Sequence, residues 1–600
     1  MSWSAGTPRY DPDATVLLPV VPADATVVLP VYQPDGSSPP GGPPGGPGLP
    51  SVPGGANEDG QSIARNSATM AVGSIVSRLT GFLRSAVLAA ALGALAVSND
   101  YNLANTVPNQ VYELLVGGVL ASVIVPLLVR ARRRDADHGE AYSQRLLTMG
   151  VVVLAAATVL AVACAPLIGL LFHNPDTTPA GQHLTTVFSY LLLPEIFFYG
   201  MAALIAAVLN TRGHFAAPMW TPILNNIVVI ATLAVFMILP TVDHPPSPDT
   251  ISTLQILVLG VGTTVGIAVQ AAGLLPALHK VGFRWRPRWD WRELHLRELA
   301  RISGWMLAYV VVSQIALVLV LVISNRAGSV HLPNHELAPG PTIFNNGYLV
   351  FMMANGIVAV SIMTALMPRM SAAAADHRWP DLVRQLSLGT RLSSVILIPT
   401  SVAFIVLGRQ LGVTLFGWRD YAGTPAVQTG WVIAAAGIGL VPFAISQLQL
   451  FAFYAMPDTK TPAILNLPVA GVRILIDLIL LVVLPVVWVD AGLMIGNGVS
   501  FVLSVVVGYW LLRRRIGRLD LTEVMTTLAK LVGAALIAAV PTLLVALILE
   551  HYLGLGKVGS LLGLVLGGIV LIVVYLAAAV ALKVREINEV WRMVKGRLGR

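Results

Sequence analysis

Residues 558–582 read VGSLLGLVLGGIVLIVVYLAAAVAL, an unbroken run without a charged side chain. Wound as a helix, such a run extends about 37 Å, enough to cross a hydrocarbon layer about 30 Å thick with some tilt. Runs of the same kind recur upstream at 68–93, 101–130, 146–172, 184–209, 217–240, 253–279, 302–324, 344–370, 386–407, 429–455, 462–485, 490–512 and 527–549. They are apolar throughout and not alternating, so they read as helices and not as barrel strands, the two structures that satisfy their own backbone inside lipid. The composition agrees: 56% of residues are hydrophobic and 11% charged, against about 25% charged in a soluble protein. The expectation is an all-α polytopic membrane protein of about fourteen transmembrane helices, with loops too short to hold a soluble domain.

The basic residues then report topology. Arg132, Arg133, Arg134 and Arg145 follow the second span, and Lys280, Arg284, Arg286, Arg288, Arg292 and Arg297 follow the sixth. Arg378, Arg384 and Arg391 follow the eighth, and Arg513, Arg514, Arg515 and Arg518 the twelfth. Lys583, Arg585, Arg592, Lys595, Arg597 and Arg600 follow the last. The opposite side carries Arg326, Arg409, Arg419 and Lys557. Even-numbered spans are therefore expected to end in the cytoplasm, which places both termini there and the chain in the inner (cytoplasmic) membrane. The net charge of +8 is explained by these loops, and no aromatic–basic motif points to nucleic acid. The single cysteine, Cys164, lies within an apolar run, which excludes an intrachain disulfide and argues against a cysteine metal site.

Residues 1–66 lack the basic and apolar regions of a signal peptide and are rich in Pro and Gly, as in PPGGPPGGPG at 39–48. Such a segment cannot bury enough surface to fold. The remainder repeats. The fifth span opens TPILN (Thr221, Pro222, Asn225) and the eleventh TPAILN (Thr461, Pro462, Asn466), with the threonines 240 residues apart. Pro126 and Pro368, near the ends of the second and eighth spans, are 242 apart. Two landmarks with nearly one spacing indicate two six-helix lobes of like orientation, related by an axis along the membrane normal and suited to rocking about a midplane site. The expected organisation is a Pro/Gly-rich cytoplasmic tail 1–66, an N-lobe 67–300, a C-lobe 301–516, an extra helix pair 517–583 and a basic cytoplasmic tail 584–600. The extra pair either shapes a groove for a long lipid tail or braces a lobe.

Charges inside the spans are the candidate site. Arg78 and Arg84 sit in the first span, in SRLTGFLR. An arginine at mid-bilayer costs at least ~2.5–3.5 kcal/mol and faces a polar cavity in most cases. Six residues turn the helix so that the two point about 120° apart, and both can line only a wide chamber, one that a bend at Gly81 would assist. Guanidinium groups grip phosphate bidentately and keep their charge, so a pyrophosphate head group is a natural ligand; snorkelling, or pairing with Glu113, is the alternative. In the second span Asn102, Asn105, Asn109 and Glu113 share one face interrupted by Pro108, either a cavity wall or a set of interhelical hydrogen bonds. Arg473 and Asp477, one turn apart, read as mutually neutralising. Glu195, after Pro194, has no partner evident in the sequence and is a candidate proton or cation site. Asn345, Asn346 and Asn355 in the eighth span suit sugar hydroxyls or neighbouring helices. There is no GxxxxGK[ST] nucleotide loop and no HExxH metal motif, so no cofactor is expected. Transport would draw on an ion gradient or the membrane potential, about 2.3 kcal/mol per charge per 100 mV.

Several strings together resemble the MurJ (MviN) lipid II flippases of the MOP exporter superfamily. They are SRLTGFLR at 77–84, NLANTVPN at 102–109, VPLL at 125–128, PMWTPILNN at 218–226, LMPRMS at 366–371 and FYAMPDTKTP at 453–462. The last is the most distinctive, and the likeness runs from residue 66 to about 583. The resemblance implies fourteen helices in two lobes plus a pair. It implies a transporter, not an enzyme, carrying undecaprenyl-pyrophosphate-linked disaccharide-pentapeptide (lipid II) from the inner to the outer leaflet for peptidoglycan synthesis. It also implies a cationic central cavity to which Arg78 and Arg84 contribute. Three departures make that cavity less positive or differently charged. Ser85 replaces the family's aspartate, Thr106 stands where many members are basic, and Asn345 and Asn346 occupy a region where many carry arginine. Arg473 is a candidate compensating cation. Some relatives carry a kinase-like domain beyond the last span; none is expected before Arg600. In the tail, Thr15 and Thr26 follow acidic residues in DATVLLPV and DATVVLPV, and suit phosphorylation read by a phosphothreonine-binding regulator; a featureless linker is the alternative. Rival functions are export of another polysaccharide-lipid or an amphipathic drug, and a non-transporting cell-wall scaffold.

Overall fold

The computed structural model describes residues 55–94, 96–114, 124–135, 137–172, 178–243, 245–290, 296–328, 330, 338–519 and 521–587. Thr15, Thr26 and most of the N-terminal tail lie outside them. Among the described residues the chain is helical with no strand. Its helices are α1 (Gly55–Leu92), α2 (Ala96–Glu113), α3 (Val125–Arg134), α4 (Glu140–Ala163), α5 (Ala165–Leu171), α6 (Pro179–Leu192), α7 (Glu195–Thr211), α8 (Ala216–Ile238) and α9 (Thr253–Ala272). They continue as α10 (Leu275–Lys280), α11 (Leu296–Gly328), α12 (Pro341–Ala375), α13 (Trp379–Phe416), α14 (Thr424–Ala455), α15 (Lys460–Val483), α16 (Val489–Ile516), α17 (Leu521–Leu553) and α18 (Lys557–Ala581). Twelve stretches of the described residues are long and apolar enough to cross a membrane. The two other expected spans fall on α2 with α3, between which residues 115–123 lie outside the described ones, and on α12.

Several boundaries differ from the sequence expectation. Helix α1 starts at Gly55 and not near residue 67, just after the last proline of the tail, Pro53. Three spans are broken: α4 from α5 at Cys164, α6 from α7 at Leu193–Pro194, and α9 from α10 at Gly273–Leu274. Pro166, Pro194 and Pro276 sit at these breaks, each unable to donate to the preceding turn. Arg145, Arg384 and Arg391, expected in loops, lie inside α4 and α13. The helices run past the apolar stretch because continuing the intrahelical hydrogen bonds satisfies the backbone better than an open loop.

The packing of the first six spans recurs in the next six. Helix α1 packs on α8 as α11 packs on α15; α8 on α9 as α15 on α16; α4 on α7 as α13 on α14; α7 on α9 as α14 on α16; and α2 on α7 as α12 on α14. The repeat extends to single hydrogen bonds. Asn226 Nδ2 donates to Thr80 Oγ1 (3.0 Å) and Ser77 O (3.3 Å), while Asn466 Nδ2 donates to Ser313 Oγ (2.8 Å) and Tyr309 O (3.0 Å). The residue equivalent to Asn466 is therefore Asn226, at the same spacing of 240, and not Asn225 as the short string suggested. Asn225 instead turns toward Gly266 of α9. Close helix approach in the second half depends on glycines: a Cβ on Gly408 would meet Gly430 O at 2.6 Å, and one on Gly439 would meet Gly498 Cα at 3.0 Å.

The extra pair, α17 and α18, packs on α13. Val395 and Ile398 cluster with Leu531, Ala535, Leu571 and Tyr575, and Tyr575 OH donates to Val395 O at 2.8 Å. At one end Arg391 Nη1 pairs with both Glu523 and Glu586 at 2.7 Å, and near the other Arg409 pairs with Glu550.

Candidate functional site

The two halves meet along a seam formed by α1 and α2 on one side and by α11, α12, α13 and the short turn Arg419–Tyr421 on the other. At the end of the seam away from the arginine-rich loops it is closed by uncharged hydrogen bonds. Thr342, at the start of α12, receives Asn102 Nδ2 on its Oγ1 (3.0 Å), donates that hydroxyl to Ser98 Oγ (3.0 Å), and donates its backbone N–H to Asn99 Oδ1 (3.1 Å). Asn325 Nδ2 donates to Phe172 O at 2.9 Å, and the Phe82 and Phe416 rings meet edge to face at 5.7 Å. The largest apolar cluster accordingly includes Ala89, Ala94, Leu103, Phe172 and Ile196 of the first half together with residues of the second. At the arginine-rich end the first half has a cluster of its own, from Ile124 and Leu128 to Phe283, which among the described residues includes none from the second half.

Arg78 lies in this seam. It is half-buried, and its guanidinium rests on Gly356 of α12, where a Cβ would stand 2.9 Å from Arg78 Cζ. Arg84, six residues on, takes the other direction expected from the helical twist. It faces the polar interior of the first half, within electrostatic range of Glu195 at the start of α7 and of the Tyr101 and Tyr199 phenols. The two arginines thus share a helix but not a pocket wall: one spans the halves and the other reaches into the first.

The polar face of α2 is divided in the same way. Asn102 crosses to Thr342, whereas Asn109 Oδ1 accepts from Tyr199 OH at 3.0 Å inside the first half. Asn105 is half-buried with its Oδ1 atom buried and unpartnered, and Glu113 is half-buried near the far end of α2. Pro108 leaves α2 helical to Glu113. Asn346 is buried next to the Tyr421 phenol, about 15 Å along α12 from Gly356, so the structure does not bring it to the arginines; Asn345 beside it is half-buried. Asn355, one residue from Gly356, is buried with Oδ1 unpartnered. Arg473 Nε lies 3.8 Å from Asp477 Oδ2, deep in the second half between α15 and α16. Glu195 is fully buried and neither carboxylate oxygen accepts a hydrogen bond. Ser98, Asn99 and Thr342 were not singled out in the sequence; short polar residues bunched where two apolar runs begin are the signal that would have found them. Among the described residues no cluster of His, Cys, Asp or Glu could hold a metal ion.

The described residues thus form helices with a repeated packing and a polar seam between the halves. The sequence model of the MurJ lipid II flippase family matches residues 88–567. The chain belongs to the MurJ family. The probable lipid II flippase MurJ of Haemophilus influenzae is 25% identical over 408 residues, 65% of this chain and 75% of that protein. The lipid II flippase MurJ of Burkholderia cenocepacia is 25% identical over 472 residues, 78% of this chain and 86% of that one. Among solved structures, a lipid II flippase MurJ in an inward closed conformation superposes with a TM-score of 0.67 at 16% identity, covering 85% of this chain and 97% of the other. An inward-facing multidrug resistance MATE transporter of the MOP superfamily gives a TM-score of 0.54 at 15% identity, covering 74% and 96%. At these identities the superpositions establish the fold alone, that of an all-helical multi-pass membrane protein. The family match begins after Arg78 and Arg84.

Proposed function

We propose that this protein moves lipid II from the inner to the outer leaflet by alternating access, with the pyrophosphate held by Arg78 and Arg84. Family membership over most of the chain supports the cargo. The observation that carries the mechanism is the placement of Arg78 on Gly356. A permanent cation lies where the two halves face each other, in a seam latched at one end and, at the other, lined by a separate core. Phosphate arriving in the seam would meet Arg78 first and reach Arg84 by entering the first half, which accounts for two arginines with different directions on one helix.

With the arginine-rich end in the cytoplasm and both termini there, the latched end faces outward and the loading side is the inner leaflet. Opening requires breaking neutral hydrogen bonds, each worth about 0.5–1.5 kcal/mol net, and parting the apolar contacts beside them. Two phosphate charges moving outward through 100 mV would gain about 4.6 kcal/mol, so the membrane potential is a sufficient drive. The extra pair helps hold the tail: an apolar cavity of about 270 Å³ lies between α13, α14, α16 and α17, lined by Leu386, Ile445, Val505, Tyr509, Val524 and Leu528. It takes a segment of a polyprenyl chain, not the whole. Phosphorylation of Thr15 and Thr26 remains part of the proposal as a regulatory handle, checked by phosphosite mapping.

The test is depletion of the protein followed by leaflet-specific labelling of lipid II. Accumulation in the inner leaflet, reversed by the intact chain but not by Arg78→Ala or Arg84→Ala, is the expected result. Unchanged outer-leaflet lipid II in cells without a second flippase would reject the reading, and complementation by both alanine variants would favour a scaffold.

A further inference from the structure

The polar interior of the first half contains a carboxylate that this transport scheme leaves without a task. Glu195 opens α7 directly after the break at Leu193–Pro194, is fully buried, and has neither oxygen hydrogen-bonded. The groups facing it come from four helices. From α1 there is Arg84; from α2, Tyr101, whose hydroxyl is shared with Thr263 at 3.0 Å; from α7 itself, Tyr199, whose hydroxyl is committed to Asn109. From α9 there is Thr264, which lies beside the carboxylate and whose hydroxyl donates to Leu191 O at 2.7 Å. Helices α3, α4, α8 and α10 also pack on α7, and among the described residues they bring no charge into range. The phenols are neutral at ordinary pH, and Arg84 is the cation that reaches Glu195; among the described residues of the first half the other buried carboxylate, Asp100 of α2, accepts instead from Thr185 Oγ1 at 2.8 Å.

We infer that Glu195 is a proton site linked to Arg84: phosphate binding at the guanidinium brings a proton onto the carboxylate, and departure of the phosphate releases it. The inference rests on the reading of Arg84 as a phosphate ligand. With the site empty, the guanidinium is what compensates a carboxylate at Glu195. A bound diphosphate takes that compensation for itself and adds negative charge close by, and both changes favour the neutral acid. Linkage is reciprocal, so the protonated protein binds phosphate more tightly than the deprotonated one. A metal cation is the poorer occupant, because Arg84 repels it and the neighbouring hydroxyls and amide are already engaged. The loaded carrier then holds one charge fewer than the cargo alone would give it.

The experiment uses the full chain in nanodiscs and an alkyl glycosyl diphosphate, a diester whose two acids stay ionised across the neutral range. Affinity is measured against pH, and proton uptake on binding is followed with an indicator dye in weak buffer. Expected are a fall in affinity of at least about fivefold as pH rises across the neutral range, net proton uptake on binding, and in Glu195→Gln tight binding at every pH with no uptake. Arg84→Ala should bind weakly. Wild-type binding that is independent of pH and releases or takes up no proton overturns the inference, as does a Glu195→Gln variant that keeps the pH slope, or affinity that follows sodium in place of pH. If Glu195→Gln does not fold, wild-type proton uptake decides alone. Binding lost in Arg84→Ala without any proton linkage would leave the phosphate reading standing and remove this one; no binding by the wild type removes both.

Discussion

Asn102 Nδ2 donates to Thr342 Oγ1 at 3.0 Å, and the two residues are 240 positions apart, the spacing that separates the Thr221-Pro222 and Thr461-Pro462 pairs. Residues one repeat apart can touch only where the axis relating the two copies passes. The latch that closes the seam is thus built on that axis, at the end of the seam that must part when the halves rock about the midplane. A latch placed there can be small and neutral and still report the state of the whole seam.

Thr342→Val keeps the volume and the backbone N–H bond to Asn99 and removes both hydroxyl bonds. At about 1 kcal/mol lost, the ratio of molecules open to closed at the latched end should rise roughly fivefold. Spin labels at Val242 and Tyr552, both exposed at that end, in a Cys164→Ser background, read the change as growth of the long-distance population in pulsed dipolar spectra. An unchanged distribution would mean the apolar contacts alone hold the seam.

Gly356 gives a sharper test of Arg78. Replacing it with Ala puts a methyl group where the guanidinium lies, while helix propensity improves by about 1 kcal/mol. Thermal stability should be equal or higher, yet flipping should fall more than about tenfold, the cost of about 1.4 kcal/mol of lost positioning. Arg78→Lys, which keeps the charge without the planar fork, should fall between the wild type and Arg78→Ala. Full activity in Gly356→Ala would show that the guanidinium does not work from this position.

The spans, their number and the doubled organisation were legible because lipid demands long apolar runs and because proline and asparagine left marks at a constant spacing. What escaped was contact between remote residues. Glu195 lacked a visible partner because Arg84 is more than a hundred positions away and reaches it only after six spans have packed. The repeat register slipped by one at Asn225 because two adjacent asparagines look alike in a string, and only the hydrogen bonds to Thr80 and Ser313 tell them apart. Arg391 counted as a topology marker in a loop. In the folded chain it is a helical residue holding two acids, a role that positive-charge counting cannot separate from simple exposure.

The loop after α10 is tied to α4 by charge. Arg145 Nε donates to Asp290 Oδ2 at 2.7 Å, and this contact holds the Asp290 carboxyl below the usual aspartate range. A depressed carboxylate stabilises the fold above its unfolded pKa, near 3.9, and that contribution disappears as pH falls through the lower folded value. Amide exchange of residues 284–290 should be insensitive to pH between neutrality and the unfolded value once intrinsic rates are corrected. It should accelerate below that value, and Asp290→Asn should show the faster exchange at every pH. Equal protection in the variant and the wild type at neutral pH would assign the loop's order to Trp285 and Arg288, which hydrogen-bond Thr148.

The attachment of α17 and α18 to α13 carries the last prediction. Arg391 is 14% exposed at its side chain and Glu586 4%, so the pair is largely withdrawn from water. Thr527 Oγ1 adds a bond to the same Glu586 oxygen at 3.2 Å. Arg391→Ala leaves Glu586 buried without its cation, a loss of about 3–5 kcal/mol by comparison with other buried pairs. Removing both charges with Arg391→Met and Glu586→Leu should recover most of it, since apolar side chains of similar volume would extend the apolar cluster that already includes Val395 and Val584. Thermal unfolding of the single and double variants in one detergent measures the coupling. Both the arginine variant and the double variant should keep the first-half seam intact, with Val242-to-Tyr552 distances broadened only in the arginine variant. If the double variant is no more stable than Arg391→Ala, the triad is not what fastens the extra pair, and the apolar contacts of Val395 and Ile398 with α17 and α18 must do so.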